Sequence, residues 1–357
     1  MSSPRGNVRQ SGSVPDLQMI AWNISARCNL ACKHCYLGSD RLRREFLDAE
    51  SLAEVTHKVI DSGAQVVFLA GGEPLLHPQI YWVAEECTRA GLDVYVNTNG
   101  LLLNSESAYD LANHGVSGVV IGVDGINAAK HESIRGTGTF KRALAALDVA
   151  RTAGMTAELD FTLNALNAEQ LSQLPAWGDS LGLNRVTIKR YVPRPSSEHD
   201  LRLRLSPTSL SAAYNELLSE CPDPTTRAGC RVYAHDPLML VAKAERGLLR
   251  EGDILREDCN AAAFIRGWIG VSADGHLSPC PVMTEVGVRI CDIPDIRTAL
   301  ASRQFSEVRD KLPIACFSCT HASYCRGGCR ATKLRLRMGL NVVDPCCWVG
   351  KGAALQT

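Results

Sequence analysis

The sequence predicts an α/β protein: six βα repeats whose parallel sheet curls into a partial (β/α)6, TIM-like barrel, followed by a cysteine-rich C-terminal region. Three observations predict it. Short apolar, β-rich runs alternate with helical patterns from about residue 18 to about 193. A polar or glycine-bearing turn follows each run. Composition then changes at Cys259 to a segment dense in cysteine, glycine and turn residues.

Residues 1–17 are polar and carry Ser, Gly and Pro, and are read as a flexible N-terminus. The strands are expected at Gln18–Ile24, Val66–Ala70, Val94–Thr98, Val119–Val123, Glu158–Leu163 and Arg185–Arg190. The clearest helix between them runs through Phe140, Ala143, Leu144, Leu147 and Ala150, stepping mostly by three and four, with Thr139 as its N-cap and Gly154 as its stop. Repeats of this kind imply right-handed crossovers. The core thus spans 18–193. Residues 194–258, broken by Pro195, Pro207, Pro222 and Pro224 around a helical stretch near Ser209–Ser219, read as a bridge, 259–350 as the cysteine-rich domain and 351–357 as a tail.

Composition excludes several classes. The 38 basic and 38 acidic residues cancel, which leaves no electrostatic footprint for nucleic acid or an anionic membrane. The basic runs Arg202-Leu203-Arg204 and Lys333-Leu334-Arg335-Leu336-Arg337 are interrupted by leucine and read as solvated faces. There is no secretory signal and no stretch of about 18 apolar residues that would span a membrane. Fifteen cysteines in a chain without an export signal, gathered in short-spaced groups, point to metal binding in a reducing cytoplasm.

The turns after the expected strands carry the chemistry. Cys28, Cys32 and Cys35 follow the first and offer three soft thiolates and no fourth, which suits an iron–sulfur cluster with an open position better than a closed zinc site. Gly71-Gly72-Glu73-Pro74 follows the second strand, Asn99-Gly100 the third, Asp124-Gly125 the fourth, Asn164 the fifth and Tyr191 the sixth. In parallel α/β architectures ligands sit at these carboxyl ends.

The Cys-x3-Cys-x2-Cys loop and the Gly-Gly-Glu-Pro turn resemble the radical S-adenosylmethionine (SAM) superfamily. The resemblance covers most of residues 18–193. It implies that Cys28, Cys32 and Cys35 hold a [4Fe–4S] cluster whose open iron chelates SAM. It also implies that His34 lies against the adenine, and that the turn at Gly71, Gly72 and Glu73 meets the methionine end. Asn99, Asp124 and Asn164 join as cofactor or substrate contacts, and His131 and Arg135 serve either as contacts or as structural groups. The implied chemistry is one-electron cleavage of SAM to a 5′-deoxyadenosyl radical that abstracts a substrate hydrogen. It needs a reductant such as flavodoxin or ferredoxin and is oxygen-sensitive.

A second pattern, Cys259-x15-Gly275-x4-Cys280, then Cys316-x2-Cys319-x5-Cys325-x3-Cys329 and Cys346 or Cys347, resembles the SPASM module, which binds one or two auxiliary [4Fe–4S] clusters. The resemblance assigns Cys259, Cys280 and Cys329 to the first cluster. Cys316, Cys319, Cys325 and Cys346 go to the second, with Cys347 the alternative last ligand. The first then lacks a fourth cysteine, and Asp258, Asn260, Cys230 or Cys291 are candidates to complete it.

Auxiliary clusters imply an oxidoreductase that passes a substrate electron onward, in natural-product, cofactor or peptide maturation. The substrate is a peptide, with or without a separate carrier protein, or a small polar molecule met by Lys189, Arg190 and Tyr191. Pro281 and Val282 after Cys280 disfavour sulfatase maturation, whose enzymes carry an acidic residue there. The alternatives are an epimerase of a peptide or aminoglycoside using Cys230 or Cys291 as hydrogen donor, and an iron–sulfur electron carrier without radical chemistry.

Overall fold

The computed structural model describes residues 17–37, 46–194, 201–250, 253, 268–283 and 286–349. All six expected strands form: β1 (Met19–Ser25), β2 (Val66–Gly71), β3 (Asp93–Thr98), β4 (Val116–Gly122), β5 (Thr156–Leu163) and β6 (Arg185–Arg190). Strand β4 starts three residues before its expected beginning. Ser117 and Gly118 hid that start, and at Gly118 a Cβ would come 2.0 Å from Thr156 Oγ1 and 2.9 Å from the Thr156 carbonyl oxygen on the neighbouring strand.

The parallel run is wider than six. Strand β7 (Arg231–His235) pairs in parallel with β6, within the stretch read as a bridge, and β8 (Trp268–Val271) pairs in parallel with β1. Two short antiparallel strands, β9 (His276–Ser278) and β10 (Val288–Arg289), extend the β8 edge, giving the order β10-β9-β8-β1-β2-β3-β4-β5-β6-β7. The His235 ring meets the edge of Trp268 at 5.1 Å, so side chains from the two ends of the parallel run touch and the sheet curls toward closure.

Helices α1 (Ala49–Ile60), α2 (Ile80–Arg89), α3 (Ser105–Asn113), α4 (Ala128–Arg135), α5 (Phe140–Thr152) and α6 (Leu174–Ser180) lie between the first six strands. Polar residues start several of them. Asp48 accepts from the Ser51 amide at 2.8 Å, and Asn104 and Ser107 form a reciprocal capping box. Thr139 does not cap α5; its hydroxyl donates to the Gly136 carbonyl at 2.6 Å instead. Gly154 follows α5 at φ +85°, the left-handed conformation expected of a helix stop. Helix α7 (Pro207–Glu220) matches the helical stretch read near 209–219, and α8 (Pro237–Glu245) follows β7.

The two faces of the sheet differ in chemistry. Val67, Leu69, Val94, Val96, Val119, Ile121, Leu159, Val186 and Ile188 pack against the helices in one aliphatic core. The intervening residues face the barrel interior, and many of them are polar or aromatic, with small or aliphatic exceptions such as Gly118 and Val120. Phe68 stacks on Tyr95 at 5.3 Å and lies 6.2 Å from Trp268; Lys189 pairs with Asp160 at 2.7 Å, and Arg185 covers the Tyr233 ring at 4.4 Å. This inner face is thus lined largely by polar and aromatic side chains rather than by an aliphatic plug.

Past β10 come α9 (Ile296–Ala301), α10 (Arg303–Asp310), α11 (Ala322–Cys325) and α12 (Arg330–Arg335). The reading of 333–337 as a solvated face holds for Arg337, which is exposed, and fails for the other two cations: Lys333 is 0% exposed and Arg335 8%. Among the described residues no helix is long and apolar enough to cross a membrane.

Candidate active site

The cysteine loop leaves the carboxyl end of β1 and lies against the glycine turn after β2. Gly72 and Glu73 donate their amides to Ser25 and Arg27 carbonyls, both at 2.7 Å. Only glycine fits this approach: a Cβ on Gly71 or Gly72 would stand 2.1 Å from a backbone oxygen, and Gly71 also has φ +121°. Glu73 is buried and holds the turn together. Its carboxyl accepts from Leu75 N (3.2 Å), Thr98 Oγ1 (2.8 Å) and Asn99 N (2.9 Å), and burial pushes it up to about 7. Its oxygens are thus engaged in orienting the turn.

Asn99 links the third strand end to the cysteines, donating to Asn29 Oδ1 at 2.7 Å and reaching Cys28 Sγ at 3.9 Å. Cys28 and Cys32 are buried, and Cys35 is partly open. Burial pushes the Cys32 thiol up to about 11, opposed by the Arg135 guanidinium.

Asp124 is the hub of the far side. One carboxylate oxygen accepts from Arg135 Nε and His34 Nε2, each at 2.5 Å, and the other accepts the Thr162 amide at 2.8 Å. Burial opposes its charge, yet Arg135 and His34 hold the carboxyl well below the usual carboxylate range. Gly122 leaves room for this, since a Cβ there would meet the Arg135 guanidinium at 2.5 Å. Asp124 is therefore a buried post for His34 and Arg135, not an exposed ribose contact. His131 accepts the Asp124 amide through Nδ1, a structural role. Asn164 closes its own turn, donating to Thr162 O and accepting from Leu166 N.

The mouth cations are also reassigned. Arg190 is buried, bonded to both oxygens of Asp344 (3.2 and 2.5 Å) and 3.1 Å from Asp236, so its charge is not presented to a substrate. Tyr191 is buried as well, while Lys189 remains partly open above Asp160.

The C-terminal thiols fall into two sets. Cys280 packs against the small core that contains Cys329 and Met283. Cys259, Asp258 and Asn260 lie outside the described residues. Cys316, Cys319, Cys325 and Cys347 line one cavity with Val241, Val343 and Val349. Cys346 turns away and donates its thiol to the Leu205 carbonyl at 3.2 Å. Neighbouring residues thus point in opposite directions, and Cys347 stands where Cys346 was expected. Tyr36, next to Cys35, donates to Asn23 Oδ1 at 2.9 Å, and Asn23 donates to the Pro281 carbonyl at 3.4 Å, linking the first loop to the Cys280 segment. Among the described residues no three Cys, His, Asp or Glu close around a single-ion centre.

Two expectations fail geometrically. Cys230 precedes β7 at the amino end of the strands, opposite the mouth, packed so tightly that a Cβ on Gly178 would meet its sulfur at 2.4 Å. Cys291 lies outside the barrel beside α1, whose Lys58 donates to the Ile290 and Ile293 carbonyls. Neither faces the lumen as a hydrogen donor. The Arg190–Asp344–Asp236 buried cluster escaped sequence reading because its members are distant along the chain.

Residues 22–166 match the radical SAM superfamily model. They form a radical SAM domain. Such domains work with a [4Fe–4S] cluster and SAM, and the cysteine-rich C-terminal region is of the SPASM type. The chain is similar to the AdoMet-dependent heme synthase of Methanosarcina barkeri, with 28% identity over 88% of this chain and 91% of that one. It is similar to the mycofactocin maturase MftC of Mycolicibacterium smegmatis, with 27% identity over 94% and 83%. In fold it is similar to Streptococcus suis SuiB bound to S-adenosylmethionine (TM-score 0.71, 16% identity, 93% of this chain and 78% of that one). The same holds for anSMEcpe with bound AdoMet (TM-score 0.71, 17% identity, 93% and 94%).

The residues fit the cofactors this radical SAM domain implies. Three cysteine thiols, none in a disulfide, stand at a barrel mouth beside a glycine turn that brings backbone within reach, and four more cysteines surround a separate cavity.

Proposed function

We propose that this chain is a SAM-dependent oxidoreductase of peptide or cofactor maturation, with its substrate held in the polar lumen. Cys28, Cys32 and Cys35 would hold the SAM-binding cluster, Cys280 and Cys329 an auxiliary one, and Cys316, Cys319, Cys325 and Cys347 a second. Bound there, the cluster and SAM supply a carbon-centred radical able to take a hydrogen atom from an unactivated C–H bond. The protein's own part is positional. Glu73 and Asn99 fix the glycine turn against the cysteine loop. Asp124 fixes His34 at the adenine side. The lumen side chains orient the reacting carbon.

The observation that carries the reading is the clamp between the cysteine loop and the glycine turn, at the open end of a polar lumen. The link from Tyr36 through Asn23 to Pro281 supports electron passage to the auxiliary set by joining the two regions. The relatives' names, a heme synthase and a mycofactocin maturase, support cofactor maturation, and the precursor peptide SuiA bound to SuiB supports a peptide substrate. The test is anaerobic reconstitution with iron counting and a 5′-deoxyadenosine assay. Cys32→Ala should lose SAM cleavage, whereas Cys319→Ala should lose product formation and keep uncoupled cleavage. Normal product from either variant contradicts the assignment.

A further inference from the structure

We propose that Lys333 is a fixed positive charge shared by the two auxiliary cysteine sets, raising the reduction potential of the iron–sulfur cluster each one holds. This rests on the auxiliary-cluster reading above.

Helix α12 is capped by Cys329, whose sulfur accepts the Thr332 amide at 3.4 Å, and it carries three buried cations, Arg330, Lys333 and Arg335. Arg330 and Arg335 turn to backbone carbonyls, Arg335 to Val282 O at 2.7 Å. Lys333 donates to Gly327 O at 3.2 Å and Leu340 O at 3.4 Å. Among the described residues it forms no ion pair. Asp344, in the same region, is already committed to Arg190 and to the Cys329 and Cys346 amides.

A buried ammonium held by carbonyl dipoles alone is costly. The missing countercharge has an obvious source. Gly327 sits between Cys325 of one set and Cys329 of the other, and a Cβ there would be 3.7 Å from the Cys316 sulfur. The ammonium is therefore pinned in the loop that joins the two sets, and thiolate-ligated iron–sulfur clusters are anions. Reduction adds one negative charge to each, and a nearby fixed cation favours that state. At the effective dielectric of a protein interior, one such charge biases a one-electron equilibrium by about tenfold.

The test is a redox titration followed by electron paramagnetic resonance in a Cys32→Ala background, which isolates the auxiliary signals. Lys333→Met and Lys333→Gln should each lower both auxiliary midpoint potentials by about tenfold in the equilibrium, about 59 mV for one electron. Lys333→Arg should stay near the parent. Unchanged potentials in an iron-loaded Lys333→Met overturn the proposal and leave the cluster assignment intact. Absence of auxiliary iron from the parent protein sinks that assignment itself. If the neutral variants fail to load iron, rescue by Lys333→Arg supports the charge role, and failure of that rescue overturns it.

Discussion

Replacing Arg190 with methionine tests the buried anchor between barrel and C-terminal region. In the native structure the guanidinium bonds to both oxygens of Asp344 and lies 3.1 Å from Asp236, which also accepts the Tyr214 hydroxyl at 2.7 Å. Both carboxylates are essentially unexposed. Methionine fills much of the volume and leaves two buried carboxylates facing one another without a cation. Removing one partner of such a pair costs about 3–5 kcal/mol. Burial already raises the Asp236 carboxyl even with Arg190 beside it. In the variant Asp236, deprived of that cation, should take up a proton more readily, so stability present at low pH is lost as pH rises. The assay is anaerobic urea unfolding followed by intrinsic fluorescence at pH 5.5 and pH 8, with the larger loss expected at pH 8. A loss under about 1 kcal/mol at both pH values, with a raised KM for substrate, would refute the reasoning and return Arg190 to the mouth as a substrate contact.

Three further outcomes are expected. Cys347→Ala should lower the iron content by about one cluster, whereas Cys346→Ala should keep it, since the second auxiliary set is read as four thiolates, Cys347 among them, and Cys346 points elsewhere; equal iron in both variants contradicts the ligand choice. Glu73, raised from 4.5 to about 7, contributes stability below its unfolded pKa that is lost as pH climbs through that window, about 3 kcal/mol in all. The stability gap between wild type and Glu73→Gln should therefore narrow from pH 4.5 to 7, and a gap that widens would show the carboxyl to be ionised throughout. Gly72→Ala places a methyl group 2.1 Å from the Arg27 oxygen, so the turn must leave the cysteine loop and SAM cleavage should fall at least about tenfold. Wild-type cleavage would mean the clamp is dispensable.

The barrel strands were legible because each combines an aliphatic outer face with a turn residue at its carboxyl end. Strand β7 was not, since Arg231-Val232-Tyr233-Ala234-His235 is short, half polar and set among prolines. The cysteine spacing singled out the groups Cys28, Cys32, Cys35 and Cys316, Cys319, Cys325, and the latter three line one cavity. It could not tell Cys346 from Cys347, because adjacent residues differ only in direction, and direction is set by the Leu205 carbonyl more than 140 positions away. The basic run at 333–337 misled for a related reason. Its leucines and cations alternate as on a solvated face, but Lys333 and Arg335 are buried and reach backbone carbonyls of Gly327, Leu340 and Val282.

Strand β8 belongs by sequence to the C-terminal region and by hydrogen bonding to the barrel, where it lies beside β1, the strand that delivers Cys28. The SPASM-type region is thus woven into the fold it serves. Cutting the chain after α8 would strip β1 of a neighbour and expose its edge, so the remainder is expected to aggregate rather than persist as a smaller enzyme. Transplanting the region onto a different barrel would demand a matching first strand. Recombination between such enzymes should therefore favour exchanges that keep β1 and β8 from the same parent.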